Sequence, residues 1–143
     1  MAFSPGQFIT AQRLNRLQPA TYWAAANSTV GASATNTDMP GVTMSITVQT
    51  SGATAVFSWS TVFYFTAAAG GIASSRVLWD VNVSPILVAT QGPTANEKIQ
   101  GAQFWQTTIG TAGTYTFKMQ VTTPTNTAAQ VYSSLLVTIY EIV

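Results

Sequence analysis

From Val42 onward the chain alternates apolar and polar side chains with a period of two. Val42, Met44, Ile46 and Val48 interleave with Thr43, Ser45, Thr47 and Gln49, the pattern of a strand with one buried and one wet face. After the turn signal Ser51-Gly52, Phe57, Trp59, Thr61, Phe63 and Phe65 share one face of a second strand, and Val56, Ser58, Ser60, Val62 and Tyr64 the other. Small residues from Ala67 to Ser75 read as a loop. A strand over Arg76 to Val83 follows, broken by Pro85 and resumed over Ile86 to Ala89. Gln91-Gly92-Pro93 marks a turn into Lys98 to Ile109, which carries Phe104 and Trp105. Gly110 and Gly113 bracket a turn into Tyr115, Phe117, Met119 and Val121, and the last strand covers Val131 to Val143. Seven or eight strands separated by turn signals predict an all-β protein, an antiparallel sandwich or jelly roll.

The first 41 residues differ. Thr10 can cap a two-turn helix running to Gln18, stopped by Pro19, with Leu14 and Leu17 on one face and Arg13 and Arg16 on a neighbouring one. So short a helix is not stable alone and must dock, on its own domain or on a partner. Tyr22-Trp23 is an aromatic pair expected to need burial. Residues 24–41 are small and polar and read as a linker or extended arm. The expected organisation is therefore an N-terminal segment over 1–23, a linker over 24–41 and a β-sandwich over 42–143.

Two predicted strands, Ala55 to Phe65 and Val131 to Val143, are apolar on both faces. An antiparallel sheet usually leaves one face to water. Tyr132, Leu136, Tyr140 and Ile142 are thus candidate residues of an interface between copies, the alternative cover being the chain's own N-terminal arm.

Charge is scarce: Lys+Arg is 5, Asp+Glu is 4, and charged residues total 6%. Soluble surfaces ordinarily carry several times more. Here 23 Thr and 12 Ser take their place, and hydroxyls hydrate a surface without repelling a copy of it. The composition suits a protein that works inside a dense assembly. A net charge of +1 offers no footprint for nucleic acid or anionic lipid, and no apolar run has the ~20 residues of a membrane helix. No basic and apolar leader opens the chain, so synthesis and folding are expected in the cytoplasm. The sequons Asn27-Ser28-Thr29 and Asn82-Val83-Ser84 are ascribed to chance in a Ser/Thr-rich chain.

With His 0 and Cys 0 there is no imidazole or thiolate to ligate zinc, no Ser/His or Cys nucleophile pair and no disulfide. The carboxylates Asp38, Asp80, Glu97 and Glu141 are dispersed, so an enzyme is not expected and no cofactor or metal is assigned. Asp80 is expected to pair with Arg76 or a turn donor, and Glu141 with Lys118. Trp59 and Trp79 read as core. Phe104 and Trp105 are neighbours and must face opposite ways, so one of them is exposed or at an interface; Trp105 is taken as the candidate partner or ligand surface.

Pro5-Gly6-Gln7-Phe8-Ile9-Thr10-Ala11-Gln12-Arg13-Leu14-Asn15 resembles the G-Q-x-L-T-A-x-x-L-N opening of small virion proteins from tailed phages of actinobacteria, with Ile9 where Leu is usual. Gly110 to Phe117 resembles the A-G-T-Y-T-F strand of their jelly-roll modules, a feature shared with tumour-necrosis-factor-like trimers. The resemblance implies a homotrimeric virion structural protein, located on the capsid exterior or the tail. Its N-terminal segment would bind the major capsid protein or another virion protein through Phe3, Phe8, Ile9, Leu14 and Leu17, with Arg13 and Arg16 meeting an acidic surface. Tail-fibre members usually continue into further domains, so the length here favours a short decoration (cement) protein. The rival expectation is a tail-tip adhesin that binds host polysaccharide through exposed aromatics.

Overall fold

A computed structural model describes residues 18–67, 71–90 and 94–141. Two antiparallel sheets face each other. Sheet A runs β1 (Ala20–Ala25), β10 (Ser134–Tyr140), β3 (Ala53–Phe65) and β7 (Glu97–Ile109), with the short β9 (Thr127–Ala129) also paired to β3. Sheet B runs β2 (Thr37–Val48), β8 (Gly113–Thr122) and β4 (Ile72–Trp79), and β4 in turn pairs β5 (Asn82–Val83) and β6 (Leu87–Thr90). With β5 and β9 set aside, the eight main strands have the connectivity of a jelly roll, two interlocked Greek keys closing one sandwich. The described residues contain no helix.

The buried side chains are those the period of two selects. Along β3, Ala53, Ala55, Phe57, Trp59, Phe63 and Phe65 point between the sheets and are fully buried. Leu135, Val137 and Ile139 join them from β10, and Phe117, Met119 and Val121 from β8. Phe57 sits at the centre, its ring 5.0 Å from Trp79 and 5.6 Å from Phe117 in tilted contacts that tie three strands together. One polar pair lies inside: the buried Thr61 hydroxyl of β3 donates to Ser75 Oγ of β4 at 2.7 Å, so each satisfies the other across the interior.

Several boundaries differ from the sequence reading. Residues 24–41 are part of the sandwich, because Val30 and Met39 are buried in the core and Thr37 already opens β2. Val30 exchanges backbone hydrogen bonds with Ala129, and Asn27 N donates to Pro40 O. Gly41 allows this close approach: its φ is +83°, and a Cβ there would stand 2.8 Å from the Ala25 carbonyl oxygen. The alternation of β2 is interrupted between Asp38 and Thr43 for the same reason. The expected strand over Arg76 to Val83 is two strands. Asp80, with φ +50°, and Val81 form a two-residue turn between β4 and β5. The predicted helix over 10–18 falls almost wholly outside the described residues.

Replacing Phe57 with Ala removes the ring that both sheets pack on and is expected to cost about 3–5 kcal/mol of unfolding free energy. Val81→Ala, in the exposed turn between β4 and β5, is expected to change it by less than about 0.5 kcal/mol. Urea denaturation of the two variants measures the contrast.

Candidate interaction surface

The outward face of sheet A carries the aromatic side chains that the core does not use. Cross-strand pairing aligns Trp23 of β1 with Leu136 of β10, Leu136 with Ser58 of β3, and Ser58 with Phe104 of β7, so one row crosses all four strands. Partners in register point to the same side, and that side faces away from the core. Trp23 is 66% exposed and Phe104 62%, and Leu136 is also exposed. Tyr140 lies exposed on the same face, four residues along β10 from Leu136. The row beside it is Thr21, Thr138, Val56 and Gln106. Neither row holds a charge. Hydroxyls fill the gaps and bond to each other, Thr21 to Thr138 at 3.1 Å and Ser60 to Ser134 at 3.2 Å.

Of the candidate interface residues, Leu136 and Tyr140 share this face, while Tyr132 stands exposed in the turn before β10 with the Lys98 ammonium 6.0 Å from its ring centre. Ile142 lies outside the described residues, as do Phe3, Phe8, Ile9, Arg13, Leu14, Arg16 and Leu17. Part of the outer face is covered by the chain's own turn before β10. Gln130 N donates to the Val62 carbonyl and Val62 N to Ser133 Oγ, so the turn before β10 folds over Val62 and buries it.

Trp105 pairs with Phe57, which puts its indole on the core side of sheet A. β7 is the last strand of that sheet, so the indole sits at the open margin of the sandwich and stays 40% exposed. Its neighbour Phe104 is the more exposed of the two. Trp23 was not picked out from sequence, and of the diverging pair Phe104 and Trp105 the sequence reading chose Trp105. Tyr22-Trp23 was expected to need burial, yet both are exposed because they lie on an edge strand. Placing Ala20–Ala25 in a strand and following its alternation would have put Trp23 outward.

Lys98 and Glu97 stand at the start of β7, and an ion pair lies on the other sheet. Asp38 of β2 accepts from Lys118 Nζ at 2.6 Å and from Gln120 Nε2 at 2.8 Å. Arg76 of β4 donates to Gln120 Oε1 through Nε and Nη2, at 3.2 and 3.0 Å. Lys118 thus pairs with Asp38 where Glu141 was expected, and Arg76 with Gln120 in place of Asp80. Glu141 instead accepts from the backbone N–H groups of Gln49 and Thr50 and from the Thr50 hydroxyl, fastening the end of β10 to the turn after β2. Among the described residues no three acidic, His or Cys side chains gather as a metal site, and no helix is long and apolar enough to cross a membrane.

No family model matches the chain, and no curated protein matches it. Solved structures do. Dimeric latent PorU from Porphyromonas gingivalis matches with TM-score 0.52 at 12% identity, over 86% of this chain and 13% of that one. A chain of the infectious bursal disease virus Gt strain matches with TM-score 0.50 at 15% identity, over 86% of this chain and 32% of that one. PRD1 vertex protein P5 gives TM-score 0.47 at 11% identity, over 89% and 98% of the two chains. The chain spans about an eighth of the first and about a third of the second. At these identities the likeness is one of fold, and the class of protein is an antiparallel jelly-roll sandwich.

Burial raises the pKa of Asp38, but the hydrogen bonds from Lys118 and Gln120 and the lysine charge outweigh it, so its carboxyl titrates below the ordinary 3.8. A lowered native pKa stabilises the fold above the unfolded value, and that contribution disappears as pH falls through the native value. Asp38→Asn is expected to cost less than about 1 kcal/mol near pH 7, the pair being largely exposed, and nothing near about pH 2. Denaturation of wild type and variant at both pH values reads the difference; a deficit of equal size at both contradicts the assignment.

Proposed function

We propose that this chain is a non-enzymatic structural protein of a bacteriophage virion, most simply a decoration (cement) protein of the capsid exterior that works as a homotrimer. The observation that carries the reading is a jelly roll whose one sheet turns a hydroxyl and aromatic face outward, with Lys98 near the start of β7, while the other holds the Asp38–Lys118 ion pair. Such a molecule has one side built for contact with protein and one for water. The resemblance of Pro5 to Asn15 and of Gly110 to Phe117 to actinobacterial phage virion proteins points the same way.

In this reading the segment before β1 binds the particle, through the major capsid protein or another virion protein, using Phe3, Phe8, Ile9, Leu14 and Leu17 with Arg13 and Arg16 alongside. A subunit that binds only the assembled lattice stabilises it by mass action. No nucleic acid, membrane, metal or cofactor enters the mechanism. A second reading has a specific feature in its favour: Trp23 and Phe104 stand on a flat sheet among Ser and Thr hydroxyls, which suits stacking on the sugars of a host polysaccharide if the protein sits on the tail.

Gold-labelled antibody imaging of intact particles is expected to show label over the head; label confined to the tail tip transfers the proposal to the adhesin, and unlabelled particles contradict both. Because β1 starts at Ala20, removal of residues 1–19 leaves whole every strand of the described residues. The truncated chain is expected to fold and self-associate but to lose particle binding at least about tenfold, a loss of roughly 1.4 kcal/mol. Undiminished binding removes the anchor role.

A further inference from the structure

The carboxylate of Glu141, one residue beyond β10, is held by three donors. The backbone N–H groups of Gln49 and Thr50 donate to its two oxygens at 2.8 and 2.9 Å, and the Thr50 hydroxyl donates to the second of them. These donors sit on the turn that carries the chain from β2 in sheet B to β3 in sheet A. The same turn is tied to two further strand ends. Gly52 N donates to the Ile109 carbonyl at the end of β7, and Ser51 Oγ accepts from Ala112 N just before β8. Glu141 therefore adds β10 to a corner where β2, β3, β7 and β8 already meet.

The edge of sheet A hangs on that corner. The ladder of β10 ends at Tyr140, which pairs with Thr54. Ala20, the first residue of β1, pairs with Ile139, and among the described residues β1 is laddered to β10 alone. The clasp thus lies two residues from the partner of Ala20, the point where residues 1–19 leave the domain. A strand end at the rim, next to an edge strand, opens locally at far less cost than the core.

Protonation acts on this clasp directly. A carboxylate accepts from all three donors at once, whereas a carboxylic acid turns one oxygen into an O–H donor and leaves only weaker, neutral acceptors. Among the described residues, the segments that meet here (20–25, 47–55, 108–116 and 134–140) hold no Lys, Arg, Asp or Glu, and their titratable groups are the phenols Tyr22, Tyr115 and Tyr140. Phenols stay neutral throughout the acid range, so Glu141 is the group of this corner that changes charge between pH 7 and about pH 2.

We infer that Glu141 is an acid-sensitive latch. As a carboxylate it locks the end of β10, and with it the start of β1, to the 49–52 turn; once protonated it lets these ends open while the sandwich stays folded. Its consequence rests on the proposed particle-binding role of residues 1–19: opening loosens the root of that segment, so particle binding weakens in acid.

The test is amide hydrogen exchange by NMR on the full chain, corrected for the intrinsic rate at each pH, in wild type and in Glu141→Gln. The variant keeps the size of the side chain and removes its charge. In wild type, protection of the Gln49 and Thr50 amides is expected to fall at least about tenfold between pH 7 and about pH 2, while Phe57 and Phe117 in the core keep theirs. Glu141→Gln is expected to show the same local loss already at pH 7, a result that stands even where acid unfolds the whole chain. Unchanged protection of Gln49 and Thr50 in the variant overturns the latch. So does a loss that reaches Phe57 and Phe117 equally, which makes Glu141 a general stabiliser. Particle binding at pH 7 separates the two levels. The variant is expected to bind about tenfold more weakly than wild type. Equal binding with the local loss present overturns the coupling to the anchor, and a wild type that binds no particle contradicts the virion reading while the exchange result still decides the latch.

Discussion

The contact on which the rest depends is the one Phe57 makes with Trp79 and Phe117. β3 is interior to sheet A and pairs with β10 and β9 on one side and β7 on the other, so its register sets theirs. Phe57 is where that strand touches sheet B, and its two ring contacts fix how the sheets lie over one another. Because strand side chains alternate, burying Phe57, Trp59 and Phe63 on one side commits Val56, Ser58 and Ser60 to the other. Through the pairing of Ser58, the same commitment puts Leu136, Trp23 and Phe104 outward in one row. The exposed aromatic surface is thus a geometric consequence of the core, and a one-residue slip of β3 would bury the wrong half of every strand in the sheet.

Such a surface survives with little charge because hydroxyls take the hydrating role. Thr21 with Thr138, Thr47 with Thr114 and Ser60 with Ser134 pair across strands, and Thr residues at the β2 to β8 crossing bond to backbone groups. These groups satisfy themselves locally and also suit strand geometry, since Thr is β-branched. They provide no repulsion between copies. An ion pair and its amide partners lie on sheet B, where Asp38, Lys118, Gln120 and Arg76 link three strands, while Lys98 stands at the start of β7 in sheet A. The two sides of the molecule therefore differ in kind: one is solvated by ion pairs, the other is hydroxyl and aromatic.

Most of the sheet was legible in the sequence because the second half of β2, the inward face of β3 and β8 repeat with a period of two over many residues. Val42 to Val48, Phe57 to Phe65 and Tyr115 to Val121 needed no tertiary information to be placed. β1 was not legible: Ala20–Ala25 is short, rich in alanine and at an edge, so its only strong signal, Tyr22-Trp23, suggested burial when both are exposed. The stretch 24–41 looked like a linker because small polar residues dominate it, yet two isolated apolar residues, Val30 and Met39, are enough to dock it on the core. Ion pairing failed for a different reason. Arg76 reaches Gln120, and Lys118 reaches Asp38, because β4, β8 and β2 lie side by side in sheet B, an order set by topology and not by sequence distance. At the surface, alternation foretold that Phe104 and Trp105 diverge, but only the edge position of β7 decides that both stay exposed.

The central claim is that the aromatic face of sheet A is a contact between protein chains rather than a solvent surface. Trp23 reports on it directly. In a chain whose other tryptophans, Trp59, Trp79 and Trp105, are replaced by Phe, acrylamide quenching of Trp23 fluorescence measures its access to solvent across a dilution series. The account predicts that Trp23 is shielded at high protein concentration and becomes freely quenched as the protein is diluted to monomers. Full quenching at every concentration, with the protein shown to be folded, would contradict it.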